Sequence, residues 1–390
     1  MNITFVGLGT MGSRMARRLL AADLNLTVLV HDISPLALTS FPPVVVRHDL
    51  IDDYDAATPR TVILSMPDSH AVNDLVHSTL IHLPADSTVI DTSTTTPDTA
   101  KQCAATLQAR NIHFLEAPIT GEKQRAEDGT LTFITSGNSH VLESVTPILK
   151  EMGTDIIYMG TEHGHGQLTK ALNNTLYNIS IAAMSEMLTL ARKSNIPEKE
   201  FIRVVNSGTG ASYGFEKFAA LCCEQKYDAP EYGYPMKKAY KDMEVVREIS
   251  SQVELDKDVR DGGTVGGGGG GGSIGLHLPM VEACNFIYQS ALDINLGHEV
   301  KGAMIKVIER QQFVTQEGDG LVDSAAEEVG RRVEVDVDVA KSEVDADIVL
   351  APITRKEVRA WCRQKYGSDW WVTEDKKDRM KEAKEALLNK

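Results

Sequence analysis

The chain has 390 residues, 42% hydrophobic and 24% charged, with a formal net charge of −15. That length holds two or three domains of ordinary globular composition, and the excess of acid argues against a general affinity for nucleic acid or an anionic membrane surface. No apolar run approaches the ~18 residues of a membrane span, and the five scattered cysteines lack metal or redox spacing and read as reduced thiols.

The first segment, "ITFVGLGTMGSRMARRLLAADL", reads strand, glycine turn, helix. Gly7, Gly9 and Gly12 fit G-x-G-x-x-G: the first allows a tight turn, the second lets backbone approach a pyrophosphate, and the third lets helix and strand pack closely. The helix would aim its positive N-terminus at the phosphates, so Gly7, Leu8, Gly9, Thr10, Met11 and Gly12 are candidate cofactor contacts. The alternative is a packing turn that holds no nucleotide. A second strand, "LTVLVHD", ends in Asp32, where an acid accepts hydrogen bonds from the adenine ribose and repels a 2′-phosphate. Ile33 supplies no cation, so NAD is favoured over NADP. The first strand starts at Asn2 with no room for a presequence ahead of it, and the chain reads as cytoplasmic.

The α/β rhythm continues. "TVILSMP" is a buried strand ending at Met66 and Pro67, with a helix from about Ser69 to Leu83. "STVIDTSTTTPDTAKQCAATLQARN" is a strand, a Ser/Thr-rich loop and a helix. "IHFLEAPIT" is a further strand, "GTLTFITSG" another, then the helix "HVLESVTPILKEMG" and the strand "DIIYMG". This alternation implies a mostly parallel, doubly wound sheet of Rossmann type, with ligands at the carboxyl ends of its strands. Those ends carry Gly7 to Gly12, Asp32, Met66 and Pro67, Asp91 to Thr96, and Glu116 to Gly121. Thr94 is a candidate cofactor contact; Ser93 and Thr94 equally suit a turn or cap. Asp91 is expected to organise its loop.

A long apolar helix follows "GHGQLTKALNN". Residues four apart share a helix face, so Lys170 and Asn174 project together with Asn173 beside them. A lysine whose pKa burial lowers can take or return the proton of an alcohol, and its ammonium can steady an oxyanion. Taken alone, this stretch equally reads as a solvated lysine and two surface asparagines. His163 and His165 flank Gly164 without a matching metal-ligand set, and no metal is expected.

The blocks "GLGTMGSRMA", "DTSTTTP", "EAPITGEKQRAEDGTLTFITSG", "GHGQLTKALNN" and "YPMKKAYKDM" stand in this order. Over about residues 1–311 the chain resembles the β-hydroxyacid dehydrogenase family, which includes 3-hydroxyisobutyrate dehydrogenase and tartronate semialdehyde reductase. The resemblance implies an all-α domain after the Rossmann domain, a homodimer or homotetramer, and conversion between a small anionic 3-hydroxy acid and its semialdehyde with NAD or NADP, of which Asp32 favours NAD. It implies Lys170 as catalytic acid/base with Asn174 as its partner in catalysis. Thr120, Gly121, Asn173 and Lys241 would be substrate contacts, Lys241 also reaching the nicotinamide. By spacing alone Lys241 is a solvated residue of a densely charged helix. Three positions depart from the family pattern: Thr120 replaces a serine, Glu122 a glycine and Tyr234 a phenylalanine. Glu122 would set a carboxylate beside an anion site.

The expected organisation is a cofactor domain over 1–162, a helical substrate and assembly domain over 163–311, and a small or partly disordered extension over 312–390. The helices "PEKEFIRVVNSG", "SYGFEKFAALCCEQ", "MKKAYKDMEVVREISSQV", "LPMVEACNFIYQSALDIN" and "EVKGAMIKVIERQ" make up the second domain. The glycine-rich stretch 261–275 interrupts it as a flexible insertion. The extension is expected to hold an acidic linker, a strand and two helices. All three tryptophans lie there, and 350–390 offers either a protein-binding surface or a self-packing appendage. Two other functions stay open: a dinucleotide-binding scaffold without catalysis, and an imine reductase, a group that shares the fold but typically replaces the lysine.

Overall fold

The computed structural model describes residues 2–24, 26–48, 50, 58–228, 233–252 and 276–310. The expectations for the glycine-rich insertion and for the extension, its partner surface included, fall outside the described residues.

Among them, nine strands form one sheet. They are β1 (Asn2–Val6), β2 (Thr27–His31), β3 (Val46–Arg47), β4 (Thr61–Leu64), β5 (Thr88–Asp91), β6 (His113–Glu116), β7 (Ile119–Thr120), β8 (Leu131–Gly137) and β9 (Gly153–Tyr158). The order is β3-β2-β1-β4-β5-β6-β8-β7, with β9 on β8. The first six are parallel, the doubly wound Rossmann arrangement. Strand β8 runs antiparallel to β6 and β7, and β9 parallel to β8.

The near-continuous apolar strand sequences follow from burial on both faces. Ile3, Phe5, Ile63, Ile90 and Leu115 pack on one face with Met15 and Leu19 of α1 (Gly12–Ala21). Val6, Val62, Leu64, Val89 and Phe114 pack on the other with Val72 and Val76. That second face is covered by α3 (Ser69–Ser78) and α4 (Pro97–Gln108), and the short α2 (Pro35–Leu38) follows β2. The segment expected as one strand, "IHFLEAPIT", divides into β6 and β7. Ala117 still donates to Asp91 O at 2.8 Å, but Pro118 has no N–H to continue that ladder, and its carbonyl instead accepts from Ile134 on β8 at 2.9 Å. Two more helices complete this half, α5 (Glu122–Asp128) and α6 (Ser139–Lys150).

The second half is helical. It comprises α7 (His165–Lys193), α8 (Glu198–Ser207), α9 (Tyr213–Cys223), α10 (Met236–Gln252) and α11 (Pro279–Asp293). A 3₁₀ turn, Lys301–Met304, leads into a last helical segment ending at 310. Helix α7 has 29 residues, about 44 Å at 1.5 Å per residue. One side packs Ile181, Met184 and Leu188 against Phe215 and Phe218 of α9. The helix is apolar along most of its length, yet Leu172, Leu176, Met187 and Leu190 are exposed. No helix of the described residues is long and apolar enough to cross a membrane.

The glycine turn is built at contact distance. A Cβ on Gly12 would collide with the Gly7 carbonyl oxygen, and one on Gly7 with the Ser65 carbonyl, whereas one on Gly9 would meet nothing within 4 Å. Gly12→Ala should therefore destabilise the protein by about 2 kcal/mol or more through overpacking, while Gly9→Ala should stay within about 0.5 kcal/mol of wild type. Urea denaturation of the two variants checks this, and equal losses would contradict it.

Candidate active site

The carboxyl ends of β1, β2, β4 and β5 meet around the glycine turn. Asp32 receives the Leu8 N–H at 2.6 Å and the Ser34 N–H at 2.7 Å, so it braces the turn from below. Gly9 and Thr10 are exposed and Met11 is half-buried. No side chain caps the start of α1, and although Ser13 and Arg14 donate to Gly9 O and Met11 O, the Met11 and Gly12 amides face the turn without a hydrogen bond among the described residues. The open space over Gly9 and the uncapped helix fit a dinucleotide pyrophosphate. Met66 and Thr94 line the same edge half-buried, with Pro67 exposed. The Met66 N–H donates to Ser93 Oγ at 2.8 Å and the Ser93 N–H to Asp91 Oδ1 at 3.0 Å. Ser93 thus ties two loops together, and Asp91 organises its loop as its place at the strand end suggested.

Helix α7 starts on this edge. The Gly164 and Gln167 N–H groups both donate to Glu116, at the end of β6, and the Gly166 N–H donates to Ser136 Oγ at 3.0 Å. A carboxylate at a helix N-terminus is favoured by orphan amides and dipole together. Gln167 bonds the β5 loop in both directions, accepting from the Thr95 N–H at 2.9 Å and donating to Ser93 O at 3.0 Å. His163 Nδ1 lies 3.4 Å from Glu116. One turn beyond this lock stands Lys170.

Lys170 is only 8% exposed. Burial pushes its amine down to about 8, against the opposing pull of the Asp242 and Glu122 carboxylates. No described residue hydrogen-bonds or ion-pairs with it. Asn174, on the same face, donates from Nδ2 to Asp242 Oδ2 at 2.8 Å. Burial raises the Asp242 carboxyl, while Lys301, Asn174 and Lys170 draw it back. The arrangement is a buried amine with a free lone pair or proton, beside an amide fixed by a carboxylate.

The structure brings together Lys170, Asn174 and, through Glu122, the loop holding Thr120 and Gly121. Thr120 is half-buried on β7, and Gly121 precedes the first residue of α5. Asn173 is exposed and bonds only its neighbour, Asn174 Oδ1, at 3.4 Å. Lys241 is also exposed, while the next residue along α10, Asp242, turns inward to the site. The period of α10 carried that information: Ala239, Asp242, Met243 and Val246 share the buried stripe. Lys301 is a further buried amine near the site, and no motif marked it.

Glu122 has φ +63°, a left-handed conformation that favours glycine. Its carboxylate pairs with Lys217 of α9 and accepts a hydrogen bond from the Tyr177 hydroxyl at 3.4 Å. The ion pair therefore offsets a backbone cost that a glycine would not incur. Glu122→Ala keeps the strained backbone and loses the pair; Glu122→Gly loses the pair but relieves the strain. The glycine variant should be the more stable of the two by about 1 kcal/mol, measured by chemical denaturation. Equal stability, or an alanine variant ahead, would contradict this.

Family models match two stretches: residues 2–160 match the NAD-binding domain of 6-phosphogluconate dehydrogenase. Residues 164–259 match the NAD-binding domain of NADP-dependent 3-hydroxyisobutyrate dehydrogenase. The chain is 25% identical over 320 residues to a 2-(hydroxymethyl)glutarate dehydrogenase of Eubacterium barkeri, covering 81% of this chain and 97% of that one. It is 26% identical over 319 residues to a mitochondrial 3-hydroxyisobutyrate dehydrogenase of Drosophila melanogaster, covering 80% and 90%. The crystal structure of a 3-hydroxyisobutyrate dehydrogenase from Salmonella typhimurium superposes with a TM-score of 0.65 at 23% identity, covering 79% of this chain and 99% of that one, and shows the shared fold. With the glycine turn, the doubly wound sheet and the helical half that follows it, these matches place the chain in the β-hydroxyacid dehydrogenase family of NAD(P)-dependent oxidoreductases acting on CH–OH groups.

Proposed function

We propose that the protein oxidises a small 3-hydroxy acid to its semialdehyde, or runs the reverse reduction, with Lys170 as general acid/base. The observation that carries this reading is the Lys170 amine: buried, brought down to about 8 by that burial, and without a hydrogen bond to any described residue. Both curated relatives cited above are named for acids bearing a hydroxyl on the carbon β to a carboxylate. A bound nicotinamide supplies the hydride acceptor or donor.

The chain's own groups handle the proton. In oxidation the neutral Lys170 amine takes the hydroxyl proton as the carbonyl forms; in reduction its ammonium returns it to the developing alkoxide. Asn174, held by Asp242, keeps one amide hydrogen for the substrate oxygen. The Thr120 hydroxyl and the Gly121 N–H supply neutral donors to the carboxylate. Asn173 and Lys241, both exposed, stand at the rim. Among the cofactor contacts, Gly7 to Gly12, Met66, Pro67 and Thr94 hold the dinucleotide by shape and backbone, and Asp32 favours NAD over NADP by repelling a 2′-phosphate. The exposed face of α7, Leu172, Leu176, Met187 and Leu190, supports a homo-oligomer.

A general base acts when neutral, so oxidation of 3-hydroxyisobutyrate, glycerate or another 3-hydroxy acid should rise with pH and level off above about 8. Reduction should fall over the same range. Lys170→Ala should lower kcat by about 10²–10⁴ with NAD binding retained. Full activity in that variant would remove Lys170 from the proton transfer, whereas NAD binding by the unaltered protein without turnover of any 3-hydroxy acid in either direction would leave the scaffold reading instead. Asp32→Ala should reduce the kcat/KM ratio for NAD over NADP; an unchanged ratio would remove Asp32 from cofactor choice.

A further inference from the structure

Lys301 is a second buried amine, on a different segment from Lys170. Its Nζ donates to Asn178 Oδ1 at 2.7 Å and lies 4.3 Å from the centre of the Tyr177 ring and 5.3 Å from that of Tyr234. Tyr177 and Asn178 lie on α7 seven and eight residues after Lys170, the next two turns of the same face. Asn178 is itself fixed, donating from Nδ2 to Ala239 O at 3.2 Å. The ammonium thus sits in a cage of two ring faces and a neutral amide oxygen, and no carboxylate among the described residues forms an ion pair with it.

An ammonium buried this way is costly unless something negative offsets it. Its charged neighbours are Asp242 on α10, Lys170 on α7, Glu122 on α5 and Lys217 on α9, with the Cys284 thiol on α11. Glu122 is already taken by Lys217. Asp242 then feels three amines, Lys301, Lys170 and the exposed Lys241, and is itself tied to Asn174. With the exposed Lys241 set aside, three buried or half-buried lysines stand against two carboxylates, a surplus of one positive charge. Lys301 is only 3% exposed while Tyr234 is 38% exposed, so Tyr234 is the part of the cage that reaches solvent.

We propose that Lys301 is the electrostatic anchor for the substrate carboxylate, supplying the countercharge that the neutral donors of the Thr120–Gly121 loop, set beside the Glu122 carboxylate, lack. The inference rests on the reading of the site given above and specifies its substrate class: a monoanionic hydroxy acid whose carboxylate lies toward Tyr177 and Tyr234, away from the reacting carbon. Burial and the neighbouring Lys170 bring the Lys301 amine down to about 7, against the pull of Asp242. Anion binding through this group is therefore strong below about 7 and weakens above it, the opposite direction to the rise in oxidation rate that Lys170 imposes.

Isobutyrate has the carboxylate but no hydroxyl, so it reports binding apart from chemistry. Calorimetric titration of isobutyrate into the full-length protein with NAD present, from pH 6 to pH 9, should show an affinity that falls above about 7. Lys301→Met should bind isobutyrate about tenfold or more weakly at pH 6, the size expected for losing one charge-assisted hydrogen bond, and should lack the break. Its KM for a turned-over hydroxy acid should rise by a similar factor, while its melting temperature stays level or rises, because methionine fills the same volume without a buried charge. Unchanged isobutyrate affinity in Lys301→Met, or no binding by the wild type, overturns the anchor. Turnover surviving in Lys170→Ala overturns the acid/base reading alone, so the two failures are separable.

Discussion

The seat of helix α7 on the sheet is the constraint on which the rest depends. Glu116 closes the N-terminus of α7 through the Gly164 and Gln167 amides, and Gln167 grips the β5 loop through Thr95 and Ser93. These bonds are short-range and directional, so they fix the rotation of the helix as well as its position. Lys170 follows one turn later and has one place to go: into the buried edge between the sheet and the helical half. A carboxylate under a helix start is stable in its own right, and here the same carboxylate fixes the helix that carries the buried Lys170 amine.

Electrostatics inside the site follows from that placement. Lys170, Lys301 and Lys217 approach from three helical segments, Asp242 and Glu122 from two others. In a poorly solvated region each charge is felt by the others far more than it would be in water. Burial lowers both Lys170 and Lys301, and Asp242 limits how far each can fall. The two amines and Asp242 titrate as a coupled set. Asp91 and Glu116, paired across β5 and β6, form a separate acidic layer beneath the helix start. Burial lifts Asp91 to about 7, and the Glu116 carboxylate adds to the shift.

Much of the fold was legible because its signals are local. Alternating strands and helices, the glycine spacing and the acid after β2 each act within a few residues, and Lys170 and Asn174 share a face by helical period alone. What was not legible depends on tertiary contact. Lys241 stood in the motif, but the packing stripe of α10 turns Asp242 inward instead. Lys301 lies in a segment with no motif, and its burial depends on Tyr177, Asn178 and Tyr234 arriving from elsewhere. The tension at Glu122 was visible as a departure from glycine, but its φ and its Lys217 partner were not. The apolar sequence of α7 does not say which face its own chain covers, and Leu172, Leu176, Met187 and Leu190 lie on one that is left open.

The central claim is that the fold removes the Lys170 amine from water and lowers its proton affinity. The direct measurement is an NMR titration of the Lys170 side-chain Cε resonance in ¹³C-lysine-labelled full-length protein, assigned with Lys170→Arg. This carbon should titrate near pH 8, well below the ordinary lysine value of 10.5. A midpoint close to 10.5 would mean that the amine is solvated and that the proton-transfer role built on it is wrong.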